Sequence, residues 1–68
     1  MTEAERALHG IHDGFRKATK ILFMTMVTSM AGGDKVEVAS ERFVRGLNQL
    51  KLALRAAEKE MYKVFPEI

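Results

Sequence analysis

The sequence predicts an all-α fold, an antiparallel αα-hairpin expected to dimerise into a four-helix bundle. Three observations carry that expectation. Two long segments repeat apolar residues in steps of three and four. One Gly-Gly pair, Gly32-Gly33, separates them. A single proline, Pro66, stands where the second segment runs out. The chain has 68 residues and no cysteine or tryptophan. That length allows one small domain. The absence of cysteine removes a disulfide scaffold, a cysteine-ligated zinc or iron–sulfur module and a nucleophilic-cysteine enzyme.

The first helix is expected from about residue 3 to residue 31. Leu8, Ile11, Phe15, Ala18 and Leu22 form its apolar seam. The pattern then slips to steps of four through Met26 and Met30, which loosens a left-handed supercoil. A turn is expected over residues 32–34. Paired glycines supply the left-handed residue that closes a helix. Asp34 is expected to cap the next helix, with Glu37 completing a capping box. The second helix is expected from about residue 35 to residue 64, with Ser40 as a later alternative start because Val36 and Val38 favour extended structure. Its seam is Phe43, Leu47, Leu50, Leu54, Ala57, Met61 and Val64, a coiled-coil-like spacing. Pro66 cannot continue the helix and biases Phe65 out of helical geometry.

Ordering 68 residues is opposed by chain entropy that two helices touching along one line do not offset. Helix 2 carries a second stripe of small residues beside the first, at Ala39, Gly46, Ala53 and Ala57. A helix apolar on two adjacent stripes needs two neighbours. A homodimeric four-helix bundle satisfies that need, and so does a hairpin docked on another protein.

With a turn near residue 33, residues whose numbers add to about 67 are expected side by side. Gly10 then faces Ala57 and Gly14 faces Ala53. A helical glycine costs about 1 kcal/mol relative to alanine. Three readings are open for this pair: close approach of small residues, a helix that begins only after Gly14, or a ligand cleft over bare backbone. The same register gathers cations. Arg16, Lys17 and Lys20 stand without an acid between Gly14 and Gly33, as do Arg42, Arg45, Lys51 and Arg55 between Arg42 and Ala57. This mid-rod basic belt would attract phosphate or an acidic surface. Its plainer reading is a solvated face.

The stretch from Ile21 to Met30 holds the other anomaly. If Leu22 and Met26 face the seam, then Phe23, Met24 and Val27 project away from it, an apolar patch outside the core. Methionine suits surfaces that accept varied partners. The patch is either the dimer interface or a site for another protein; it lacks the tryptophan and basic flank of a membrane-surface helix. Glu5, His9, His12 and Asp13 have one-face spacing, with Glu58 expected opposite His9. They lack the HExxH and ExxH patterns of metal helices, and no metal or cofactor is expected. No phosphate loop or catalytic triad spacing is present, so no enzyme is expected.

In outline the chain resembles the small plasmid-encoded, RNA-binding hairpin dimers of the Rop type, over its whole length and in architecture alone. No motif is shared and no functional residue is carried over. The leading expectation is a non-catalytic interaction module, a dimeric adaptor or inhibitor of another protein. Its contact residues are Phe23, Met24, Val27 and Met30, and its partners are a second copy and a heterologous protein. The alternative is a binder of an anionic ligand (RNA, DNA or a nucleotide) through Arg16, Lys20, Arg42 and Arg45. The longest charge-free run, thirteen residues from Ile21 to Gly33, is short of the roughly 20 a bilayer needs. Glu3 and Glu5 stand where an export signal would be cationic and then apolar. The expected location is therefore the cytoplasm.

Overall fold

A computed structural model describes residues 1–67. It contains two helices, α1 (Glu3–Ala31) and α2 (Val36–Val64), packed side by side as a hairpin, with no strand among the described residues. Each helix is 29 residues long. The molecule measures 49 × 19 × 9 Å, which is two helices wide and one thick.

α1 begins with a capping box that the sequence carries as Thr2-x-x-Glu5 and that the reading above did not use. The Thr2 side chain accepts from the Glu5 N–H at 3.1 Å, and the Glu5 carboxylate accepts from the Thr2 N–H at 3.2 Å. These bonds satisfy amides that have no partner inside the helix. The Thr2 N–H, then the Thr2 hydroxyl, and least the nearby His9 hold the Glu5 carboxyl below its ordinary 4.5. A carboxyl with a depressed folded pKa stabilises above the unfolded value and loses that effect as pH falls through the folded one. The first turn of α1 should therefore fray as the solution is acidified below about pH 4.5. Amide shifts of Arg6 to Leu8 followed by NMR from pH 6 to 3 should show it, and Glu5→Gln should abolish the titration. A first turn unchanged over that interval in the wild type would contradict the assignment.

The turn closes with Gly33 at φ +106°, a conformation that needs glycine. The Gly33 N–H donates to the Met30 carbonyl at 3.1 Å, and the Asp34 N–H donates to the Ser29 carbonyl at 3.1 Å. This is the Schellman arrangement. It commits Asp34 to the end of α1. The Asp34 carboxylate accepts from the Ser29 hydroxyl and from Arg42 at 3.2 Å. The expected Asp34 cap with Glu37 therefore does not form; Lys35 occupies the cap position without a side-chain bond. α2 starts at Val36, before Ser40, and ends at Val64, where the Phe65 N–H reaches the Met61 carbonyl at 2.7 Å ahead of Pro66.

The seam residues Leu8, Ile11, Phe15, Ala18, Leu22 and Met26 meet Phe43, Leu47, Leu50, Leu54, Ala57 and Met61 along the hairpin, but only Met61 among them is buried. Val64 does not belong to the seam: it is 69% exposed, and Phe65 turns in instead. Ala4 and Ala39, each 1% exposed, are the tightest points. The register is Leu22 against Gly46 and His12 against Glu58, one to three residues from the one expected.

The close approach between the helices falls at a different glycine from the pair on α1. A Cβ on Gly46 would stand 2.7 Å from Leu22 Cδ2, so Gly46 marks the close approach of the two helices, where an added side chain must displace the end of Leu22. A Cβ on Gly10 or Gly14 would meet nothing within 4 Å. Close packing against α2 does not explain those two, and α1 runs through both. The small-residue stripe on α2 is thus divided. Ala39 and Gly46 pack against α1, while Ala53 and Ala57 line an open apolar groove of ≈ 210 Å³ with Ile11, Gly14, Phe15, Leu50 and Leu54.

Candidate functional site

Helical periodicity of 100° per residue sorts the remaining side chains around α1. With Leu22 and Met26 turned to the seam, Phe23, Val27 and Met30 form a stripe along its outer side, with Met24 beside it. The four are between 41% and 53% exposed. The same stripe continues back through Lys20 to Arg16 in steps of three and four. The structure therefore brings the four apolar residues and two of the cations onto one surface, apolar near the turn and basic near mid-helix. Val44 on α2, 53% exposed, lies at the level of Phe23 and on the same side of the hairpin, extending the patch across the seam. The register, which the sequence alone does not fix, adds it.

Arg42 and Arg45 do not join that surface. Arg42 sits 3.2 Å from Asp34, and Arg45 sits 3.5 Å from Glu41 on α2. Arg16 is 3.8 Å and Lys17 is 3.0 Å from Asp13. Lys17 holds the Asp13 carboxyl below its ordinary 3.8, by hydrogen bond and by charge, with Arg16 adding less. The acid-free stretches are real in the sequence, but Asp13 and Glu41, one residue outside them, pair with cations one turn in. Such exposed pairs stabilise little; the four cations expected to hold an anion do not converge because Arg16 and Lys20 lie on one side of the hairpin and Arg42 and Arg45 do not.

The histidine face is also rearranged. Glu58 meets His12, not His9, with Nε2 and Oε2 3.0 Å apart. Glu5 bends back to Thr2 and Asp13 turns to Lys17. Among the described residues no three His, Asp or Glu side chains are grouped to hold a metal ion. Thr19, Thr25 and Thr28 return their hydroxyls to the carbonyls of Phe15, Ile21 and Met24 at 2.8–2.9 Å, a helical back-bond that leaves no free hydroxyl there. No helix among the described residues is long and apolar enough to cross a membrane.

Comparison with known proteins finds no matching family model, no matching curated protein and no matching solved structure.

Proposed function

We propose that this chain is a non-catalytic helical interaction module, a small dimeric adaptor or inhibitor that binds and modulates another protein. The observation that carries the reading is the contiguous apolar stripe Phe23–Val27–Met30 with Met24, exposed on a helix whose core-facing residues are already turned the other way. Apolar side chains at i, i+4 and i+7 match a partner helix or groove. Arg16 and Lys20 at one end of the stripe favour a partner with acidic residues beside its apolar anchors, and steer its approach. The second half of the reading is a homodimeric four-helix bundle, supported by the thinness of the hairpin and by seam residues that stay partly exposed. The location that suits such a module is the cytoplasm.

Binding of RNA, DNA or a nucleotide is the less supported reading, because Arg42 and Arg45 are paired with acids and stand on the other helix. Affinity capture at 50 and 200 mM salt separates the two. Wild-type chain should retain a protein at both salt concentrations, and Phe23→Glu with Val27→Glu should lose it. Retained nucleic acid that falls by orders of magnitude over that salt range, unaffected by the double substitution, would overturn the proposal.

A further inference from the structure

We propose that the open groove receives a second copy of this chain, antiparallel to the first, so that Ile21 of each copy enters the hollow over Gly14 of the other. The proposal rests on the dimeric reading above and adds to it the face, the register and the direction.

The area argues for an occupant of this size. The chain exposes 5258 Å², against about 4300 Å² for a compact monomer of 7.7 kDa. The surplus of roughly 900 Å² is close to the ~800 Å² that each partner contributes to a stable interface.

The groove face also carries a knob and a hole of its own. The hole is the open space beside Gly10 and Gly14, continuous with the apolar lining of Phe15, Leu50 and Ala53. The knob is Ile21, 66% exposed, two turns along the same side of α1. The midpoint of α1 (Glu3–Ala31) is Lys17, so Gly14 lies three residues before it and Ile21 four residues after it. A twofold axis crossing α1 between Lys17 and Ala18 places Ile21 of one copy over Gly14 of its partner. The same operation sets Thr25 over Gly10 and Thr28 over Ala7, so a larger residue meets a smaller one at every step. A parallel pairing of α1 with itself would set Ile21 on Ile21 and leave the hollows empty. Self-complementarity about a twofold is what an isologous interface demands.

Polarity favours the same face. Thr25 and Thr28 bring no unpaired hydroxyl, since both bond to their own helix. Lys17, at its edge, is drawn to Asp13. Near the turn the same face carries Arg42, which is paired with Asp34. The opposite face carries more charge, at His12, Arg16, Lys51, Arg55 and Glu58, whose burial would need partners. In this arrangement Phe23, Val27 and Met30 stay outside the dimer interface, and Met24, two turns past Lys17, stands at its edge. The bundle then displays two copies of the partner surface, related by the twofold.

Sedimentation equilibrium on the full chain tests this, with helicity checked by circular dichroism. Gly14→Leu fills the hollow at a position where nothing in the hairpin opposes it, and should raise the dimer Kd about ten- to hundredfold. Ile21→Ala, which truncates an exposed side chain, should weaken the dimer too. The exchange Gly14→Ile with Ile21→Gly should restore it. Nitroxides on Lys35→Cys should lie at opposite ends of a bundle about 45 Å long, not within about 20 Å of each other. A wild type that stays monomeric at high concentration would refute the dimeric reading itself. A dimeric wild type untouched by Gly14→Leu and Ile21→Ala, yet split by Val44→Glu, would refute this face alone. Nitroxides at short range would refute the antiparallel direction.

Discussion

Gly46→Leu should lower the thermal unfolding midpoint by about 5–15 °C. The cause is local. A Cβ at residue 46 already stands 2.7 Å from Leu22 Cδ2 and 3.2 Å from Cδ1, so a full leucine side chain has no space at this crossing. Inserting methylenes into a packed contact costs about 1–3 kcal/mol, partly offset by up to about 1 kcal/mol of helix propensity gained over glycine. One kcal/mol corresponds to about 4–8 °C in a domain of this size. Gly46→Ala should be nearly neutral, because Leu22 meets the new atom with the ends of its branches and the propensity gain opposes the crowding. Leu22→Ala placed on the Gly46→Leu background should recover much of the loss, since the two side chains then exchange volume across one point. Thermal denaturation followed at 222 nm reads all three. A Gly46→Leu protein as stable as the wild type would mean that the helices do not meet here, and the register would fall with it.

That register separates what the sequence revealed from what it did not. Gly32-Gly33 and Pro66 punctuate the chain by local stereochemistry, independent of anything distant, and the helix ends fall beside them. The outward stripe of Phe23, Val27 and Met30 follows from helical period alone. Thr2 and Glu5 were equally legible, since their spacing is a capping signature. Asp34 was not: a cap for α2 and a Schellman partner for α1 compete for the same residue, and the bonds available around Gly33 decide between them. Val64 continues the apolar stepping as the last residue of α2, but it is exposed, and Phe65, already out of the helix, turns in instead. The glycines show the deeper limit. A sequence marks where glycine stands, but the residue across from it depends on how two helices slide past each other. Gly14 lies on the side of Ala53 and Ala57 as expected, but about a quarter turn from the seam, so it lines the groove and the close contact falls at Gly46. The cation belt divides for a related reason: Arg42 and Arg45 fall away from the side of the hairpin that carries Arg16, Lys20, Lys51 and Arg55. Charge counted by block also ignores the acid that stands just outside it, and Asp13 and Glu41 each reach a cation one turn in.

The exposed groove, the surplus surface and the half-covered seam all follow from a hairpin one helix thick. If a second copy supplies the missing cover, folding and association are a single event, and stability depends on protein concentration. For two chains of 68 residues unfolding together, a hundredfold dilution should lower the unfolding midpoint by roughly 10 °C. The decisive measurement is that series, from about 100 to about 1 μM chain in one buffer, with helicity recorded at each concentration. A midpoint that falls steadily with dilution is the result this account predicts. A sharp transition at the same temperature throughout, from a fully helical single chain, would contradict it.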